Sequence, residues 1–169
     1  GPPPRLGQSF LVMDPAATAG ANFLDRVEQL LGFITDQPGT RLPGDRRIDL
    51  SRAASQSEAE NLADAHDFAR LLTTLDQLGK PTIARVQGSA NGIGVGLIAA
   101  CDIVFATYDA SFALNEVKYG LLPAVASPYV LAAIGERHSR YFMLTAERFS
   151  GTEAYRIGLV HEMVHSDPV

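Results

Sequence analysis

Three glycines, Gly92, Gly94 and Gly96, stand at alternate positions between the apolar runs of VQGSANGIGVGLIAACD, residues 86–102. If a strand precedes them and a helix follows, the first backbone N–H groups of that helix have no partner within it. Glycine also lets a ligand atom approach the backbone closely. The stretch therefore predicts a turn that can hold an anion. Close packing of a helix on a strand, or a hairpin turn at Asn91–Gly92, would explain the same spacing.

The glycine spacing does not fit the common phosphate-binding motifs. The stretch contains no Gly-x-x-x-x-Gly-Lys-Ser/Thr, and it lacks the third glycine of a dinucleotide-binding turn. The developing enolate of a thioester carries one negative oxygen, which needs only one or two N–H donors. The glycines are compatible with an oxyanion site of that kind.

Composition restricts the classes of function. The chain has 169 residues, 46% of them hydrophobic, and a net charge of −5, which predicts one compact domain and no nucleic-acid partner. No apolar run reaches the roughly 20 residues of a membrane span. The one cysteine, Cys101, lies in an apolar run, so neither a disulfide framework nor a zinc site is expected. These features predict a cytoplasmic protein without a membrane partner.

The chain changes character near residue 50. Residues 1–50 are rich in proline, glycine and arginine, and they contain one predicted helix, capped by Asn22, and a predicted loop over 36–50. Residues 51–169 alternate strand and helix patterns instead. We therefore treat 1–50 as an atypical segment and 51–169 as the core of an α/β domain.

Capping signals mark the helices of this core. Ser57 and Glu60 form a capping box, and the Ser-x-x-Glu spacing recurs at Ser150 and Glu153. Four helices are predicted: one that starts at Ser57, one over 97–101, one from Ser127-Pro128 to Gly135, and one from Ser150 to Gly158. Four strands are predicted, over 82–86, 102–107, 111–114 and 159–164.

Glu116 follows an apolar strand in SFALNEVKYGLLP and precedes a Gly-x-x-Pro turn. Its apolar neighbours would partly desolvate the carboxylate and raise its pKa toward a value suited to proton transfer. An ion pair with Lys118 or Arg137 is the structural alternative, and the residues alone leave both open.

The other reactive side chains show no functional spacing. The four histidines, His66, His138, His161 and His165, do not pair at metal-ligand spacing. No Gly-x-Ser-x-Gly elbow exists, and nothing in the sequence near Cys101 suggests an activated thiol. The sequence therefore predicts no metal site and no covalent nucleophile.

The motifs of the core occur together in one enzyme family. KPTIARVQGSANGIGVGLIAACDIVFATYDASFALNEVKYGLLPA and LTAERFSGTEAYRIGLVHEMV resemble the crotonase superfamily, the enoyl-CoA hydratase and isomerase group. GVGLIAACD and SPYVLAAIGERHSRYFMLTAERF are most similar to its methylglutaconyl-CoA hydratase branch. The resemblance implies a crotonase-like α/β fold, a superhelix of β-β-α turns that is incomplete at the N-terminus here. It also implies assembly as trimers or hexamers.

The resemblance implies catalytic roles for Ile93 and Glu116, and substrate binding at Gly92 and Gly94, whose lack of side chains lets the thioester lie against the turn. The backbone N–H of Ile93, between Gly92 and Gly94, would polarise the thioester carbonyl of an acyl-CoA substrate. Glu116 would be the acid/base that moves a proton at the α and β carbons.

Ala124 and Tyr129 follow the Gly-x-x-Pro turn, and they would either line an acyl pocket or pack the next helix. No cofactor is implied beyond the coenzyme A of the substrate.

The chain departs from the family pattern at two places. Many hydratases carry a second glutamate at the position of Gly96. The family's Phe-x-Ala-Gly-x-Asp-Leu stretch, which completes the oxyanion hole, is replaced by LPGDRRIDLS, where Gly44 could align. Three functions follow as expectations: hydration of a 2,3-double bond, double-bond isomerisation by Glu116 alone, or an inactive remnant that binds CoA or oligomerises.

Overall fold

The computed structural model describes the backbone of residues 9–14 and 41–43, and residues 55–79 and 81–165 with their side chains. In chain order the elements are β1 (Ser9–Asp14), β2 (Arg41–Pro43), α1 (Glu58–Asp76), β3 (Thr82–Val86), β4 (Ser89–Asn91), α2 (Ile93–Ala99), β5 (Ile103–Thr107), β6 (Ser111–Ala113), a 3₁₀ helix (Glu116–Tyr119), α3 (Ser127–Thr145), β7 (Phe149–Ser150), α4 (Gly151–Arg156) and β8 (Glu162–Val164).

Two sheets share these strands. The larger has the order β2-β1-β3-β5-β8, and all its pairs are parallel. The smaller has the order β4-β6-β7, in which β4 and β6 are parallel. Two successive β-β-α units, β3-β4-α2 and β5-β6-α3, therefore stack strand on strand, with α2 packed against α3. This is the repeat that the resemblance implies.

The two Ser-x-x-Glu signals predict their helix starts correctly, whereas α2 begins at Ile93 and not at the predicted residue 97. The Ser57 side chain accepts from the Glu60 N–H while the Glu60 carboxylate accepts from the Ser57 N–H, and α1 begins one residue later. The Ser150 side chain likewise accepts from the N–H of Glu153 at the start of α4. None of the helices in the described ranges is long and apolar enough to cross a membrane.

The helix α3 contains a break at the position where the sequence predicts an end. Gly135 has φ 73° and ψ 164°, which a residue with a side chain rarely adopts. A second helical segment continues beyond it to Thr145, and the sequence analysis did not predict this segment. The buried hydroxyl of Ser139 donates to the Gly135 carbonyl at 2.7 Å and so stabilises the break.

The hydrophobic core fills the space between the sheets and the helices. The largest fully buried side chains include Phe112 of β6, Leu72 of α1 and Ile98 of α2. Phe149 of β7 stacks on Phe112 with ring centroids 5.5 Å apart. The small sheet therefore buries one face, and its opposite face carries polar side chains.

Two strands lie where the sequence predicts little regular structure. β1 pairs with β3, and β2 adds to β1 inside the predicted loop 36–50, so the loop prediction is wrong at Arg41–Pro43. Parallel pairing with a distant strand leaves no local turn signal. The predicted helix capped by Asn22 lies outside the described residues, and the domain boundary at residue 50 stays a prediction.

Candidate active site

The glycine turn connects β4 to α2. Gly92 has φ 54° and ψ −121°, a conformation that favours glycine. Its N–H donates to the Ala113 carbonyl at 2.9 Å, and its carbonyl accepts from the Val95 N–H at 2.9 Å. Because β4 runs parallel to β6 and Gly92 leads into a helix, the alternative of a hairpin turn at Asn91–Gly92 is wrong.

Two backbone donors at this turn are unpaired. The N–H groups of Ile93 and Gly94 begin α2 and have no hydrogen-bond acceptor among the described residues. Val95 is the first residue of the helix whose N–H is paired. The turn therefore presents free donors next to a residue without a side chain, as an oxyanion site requires.

Glu116 is the first residue of the 3₁₀ helix after β6, and it is only 6% exposed. Its Oε2 atom is buried and has no hydrogen-bond partner within the described part of the chain. Burial raises the pKa of this carboxyl, and its own backbone N–H opposes the shift. Neither Lys118 nor Arg137 forms an ion pair with it in the described ranges, so the structural alternative is not what holds this side chain.

The structure brings Glu116 and the glycine turn together. A Cβ placed on Gly92 would lie 2.8 Å from Oε1 of Glu116 and 3.7 Å from Oδ1 of Asn115. The carboxylate is thus in contact with the residue that immediately precedes the free Ile93 N–H. A buried acid and an unpaired amide donor at one place can polarise a carbonyl and move a proton beside it.

Gly96 has a packing role. A Cβ on Gly96 would lie 2.7 Å from Cβ and 3.2 Å from Cα of Ala126, at the start of α3. The helices α2 and α3 approach too closely here for any side chain. The packing explanation of the glycine stretch therefore applies to Gly96, while Gly92 serves the turn.

Ala124 and Tyr129 lie on the approach to α3 and in its first turns. Ala124 is exposed, and its carbonyl accepts from the Ser127 hydroxyl at 2.8 Å. The Tyr129 hydroxyl shares a 3.1 Å hydrogen bond with the Thr73 hydroxyl of α1. In the described part of the chain neither residue forms a hydrogen bond with Glu116 or with the turn, and their role in an acyl pocket stays a prediction.

The remaining reactive groups are engaged elsewhere. The Cys101 thiol donates to the Leu97 carbonyl, and burial raises its pKa to about 12, so it is not a thiolate at neutral pH. Nδ1 of His161 accepts from the Val104 N–H at 3.0 Å. Among the described residues no group of three potential ligands could hold a metal ion.

The sequence analysis missed Arg148, which lies just before β7. Its guanidinium donates to the Ser111 hydroxyl at 2.8 Å, to the Ser89 hydroxyl at 3.4 Å and to the Asn91 side chain at 3.2 Å. Arg148 is part of the LTAERF motif, but nothing in that motif indicates partners 37 to 59 residues away.

Comparison with known proteins decides the family. A family model described as "Enoyl-CoA hydratase/isomerase" matches residues 48–169, which is most of the chain. The chain belongs to the enoyl-CoA hydratase/isomerase family. It is thus a member of an enzyme family with the crotonase fold that the motifs predict.

Members of this enoyl-CoA hydratase/isomerase family with different activities are similar to the chain. It is 38% identical over 96 residues to the peroxisomal Delta(3,5)-Delta(2,4)-dienoyl-CoA isomerase of Arabidopsis thaliana, covering 56% of this chain and 34% of that protein. It is 36% identical over 91 residues to the hydroxycinnamoyl-CoA hydratase-lyase of Pseudomonas fluorescens, covering 53% and 33%.

A solved structure supports the same fold. The crystal structure of an enoyl-CoA hydratase from Shewanella pealeana matches with a TM-score of 0.76 and 39% identity, covering 83% of this chain and 57% of that one. The matched region spans about a third of the length of the two curated relatives named above. Hydratases and isomerases both occur among the relatives of this chain.

Proposed function

We propose that the protein adds water across the 2,3-double bond of an acyl-CoA thioester. The observation that carries this proposal is the contact between the Glu116 carboxylate and Gly92, next to the unpaired N–H of Ile93. The proposal concerns the activity of the whole protein.

The reaction needs one donor and one acid/base. Among the described residues the Ile93 N–H donates to no acceptor. It would donate to the thioester carbonyl and stabilise the negative charge that develops on that oxygen. As the water oxygen bonds to the β carbon, the departing proton goes to the Glu116 carboxylate. Glu116 then returns a proton to the α carbon, and the enolate collapses to the 3-hydroxyacyl thioester.

Glu116 suits a proton that must be both taken and given. Burial raises its pKa, which brings the protonated and ionised forms closer in free energy near neutral pH. Its free Oε2 leaves one oxygen available for water or for the substrate.

Double-bond isomerisation is the second candidate, and the packing of Gly96 favours it. Many hydratases carry their second glutamate at the position of Gly96, and here Ala126 fills the space that a side chain on Gly96 would occupy, so a second carboxylate for activating water has no room. One carboxylate suffices for isomerisation: Glu116 removes a proton from the α carbon of a 3-enoyl thioester and returns it to the γ carbon. A dienoyl-CoA isomerase is among the similar proteins.

Product analysis distinguishes the two reactions. Purified protein is incubated with a 2-enoyl-CoA and, separately, with a 3-enoyl-CoA. New 3-hydroxyacyl-CoA from the first indicates hydration, and 2-enoyl-CoA from the second indicates isomerisation. We expect Glu116→Gln to abolish either reaction. The matched control is Glu136→Gln, at an exposed ion pair with Arg140, which should keep the wild-type rate.

Two outcomes would contradict this function. An unchanged rate in Glu116→Gln would remove Glu116 from the chemistry. If the wild-type protein converts neither substrate and calorimetry detects binding of a CoA thioester, the protein is a non-catalytic CoA-binding member of the family.

We also propose a class of acyl group for the substrate and an oligomeric state for the protein. Similarity of the GVGLIAACD segment to the methylglutaconyl-CoA hydratase branch supports a branched or carboxylated acyl chain, near Ala124 and Tyr129. A trimer or hexamer is supported by exposed apolar side chains such as Leu122 (79%) and Leu144 (69%), and sedimentation would test it. A cytoplasmic location, predicted from composition and the single cysteine, stays a proposal, and so does the lack of a cofactor besides coenzyme A, which the resemblance implies.

A further inference from the structure

The Arg148 guanidinium spans the polar face of the small sheet. One of its nitrogens, Nη1, contacts the hydroxyls of Ser89 on β4 and Ser111 on β6, and the other, Nη2, donates to Oδ1 of Asn91. All three partners are neutral, and Arg148 forms no ion pair within the described ranges. Its bonds therefore hold two strands together and do not neutralise a carboxylate.

The partners lie in register on one face. Ser89 and Ser111 are paired across β4 and β6, with their hydroxyl oxygens 3.0 Å apart. Asn91 is two residues beyond Ser89, so its side chain emerges on the same face. The residues between and opposite them, Ala90 and Phe112, point into the core.

β4 has few other supports. It is three residues long, and among the described strands it has a hydrogen-bonded neighbour on one side only. Parallel pairing is slightly less stable per residue than antiparallel pairing. Yet this strand delivers Gly92 and the free Ile93 N–H, directly after the Asn91 that Arg148 contacts.

We propose that Arg148 is a positioning residue, which fixes the end of β4 through Asn91 and so holds the Ile93 N–H in place against Glu116. The inference rests on the proposed function. Arg148 does not touch the candidate reacting groups itself. A displacement of an oxyanion donor by a fraction of an ångström is enough to weaken stabilisation of the transition state.

The first test is independent of activity. Amide cross-peaks of Gly92, Ile93 and Gly94 are compared by NMR in ¹⁵N-labelled wild type, Arg148→Ala and Arg140→Ala. Arg140 is the matched control because it is an exposed arginine whose partner, Glu136, lies on the same helix. We expect the three cross-peaks to shift in Arg148→Ala and to stay at their wild-type positions in Arg140→Ala. Unshifted peaks in Arg148→Ala would overturn the inference.

The second test separates positioning from stability. In an active wild type, at a temperature well below unfolding, we expect Arg148→Ala to lower kcat about tenfold with KM changed less than twofold. Arg148→Lys should recover part of kcat to the extent that its single amine donates to Asn91 on β4. Asn91→Ala should lower kcat similarly, and the double variant should be no worse than either single variant.

The outcomes of the second test are distinct. Values of kcat in Arg148→Ala within twofold of the wild type would overturn the inference, and so would additive losses in the double variant. A loss that follows the folded fraction alone would assign Arg148 a stabilising role only, and would also overturn it. If the wild type converts no enoyl-CoA, the proposed function fails while the NMR comparison still decides the position of the turn.

Discussion

The Glu116 carboxylate occupies the space into which a side chain on Gly92 would extend: a Cβ there would lie 2.8 Å from Oε1. The contact joins two residues that belong to successive β-β-α units. Position 92 therefore requires glycine for two reasons. Its backbone has φ 54°, and the Glu116 carboxylate leaves no space for a side chain.

Gly92→Ala should lower kcat by at least about a hundredfold, because the added methyl group displaces Glu116 and alters the turn that presents the Ile93 N–H. The strained backbone should also lower the free energy of unfolding by about 1–3 kcal/mol. Steady-state kinetics and urea unfolding measure the two effects.

Gly135→Ala is the matched control for this substitution. Gly135 has φ 73°, and a Cβ there would meet nothing within 4 Å. We expect a comparable loss of stability with kcat unchanged. Equal losses of kcat in the two variants would show that strain alone, and not the contact with Glu116, explains the effect.

Glu116→Gln should stabilise the protein at neutral pH. Burial raises the pKa of Glu116 in the native state above its ordinary value of 4.5, so the native state binds this proton more tightly than the unfolded state. The wild type therefore loses stability as the pH rises through the native pKa, and a neutral glutamine does not. We expect a gain in the free energy of unfolding at pH 8 that shrinks as the pH falls and disappears below the ordinary pKa of 4.5.

Urea unfolding at pH 4, 6 and 8 measures this difference for the two proteins. Glu136→Gln serves as the control, because an exposed ion pair with Arg140 contributes little to stability. A gain from Glu116→Gln that is the same at all three pH values would contradict burial of an ionisable carboxyl as its cause.

Gly96→Ala should lower the free energy of unfolding by about 1–3 kcal/mol, because its Cβ would lie 2.7 Å from Cβ of Ala126 and force α2 away from α3. Adding Ala126→Gly should recover part of that loss. Gly79→Ala, where no atom lies within 4 Å, should cost nothing. Thermal and urea unfolding of the four proteins test this, and a neutral Gly96→Ala would show that the helices can separate.

Thr82→Val should destabilise the start of β3. The buried Thr82 hydroxyl donates to Oδ2 of Asp102 at 2.7 Å and accepts from the Asp102 N–H at 2.9 Å. Losing both bonds should cost about 1–3 kcal/mol. It should also raise the pKa of Asp102, which the Thr82 N–H and then the Thr82 hydroxyl lower. Urea unfolding measures the first effect and an NMR titration the second.

Thr107→Val is the matched control for that pair. Thr107 is fully buried, but the distance from its hydroxyl to the Val86 carbonyl is long, at 3.4 Å. The substitution should therefore change stability by less than about 1 kcal/mol, since so long a hydrogen bond is weak. Equal costs for the two valine variants would contradict a special role for the bonds to Asp102.

Local signals made much of the fold predictable. The Ser57–Glu60 capping box and the Ser150–Glu153 spacing place two helix starts, and the apolar run 82–86 gives β3 at its observed bounds. These features depend on residues within one turn or one strand of each other. The family motifs added the β-β-α order, which periodicity alone does not contain.

Long-range contacts were less accessible. The pairing of β1 with β3 places Ser9 beside Thr82, and no sequence pattern near either residue predicts that pairing. The free Oε2 of Glu116 and its contact with Gly92 depend on two units coming together in space. Arg148 was missed for the same reason, because its partners lie on strands far away in the sequence.

The parallel pairing of β4 and β6 fixes the position of the Ile93 N–H, which follows β4, relative to Glu116, which follows β6. Residues 22 positions apart, such as Ser89 and Ser111, are neighbours, so both strands end at the same edge. Slippage of either strand by one residue would reverse its inward and outward faces and carry the acid away from the amide. An insertion inside either strand would therefore separate the two groups.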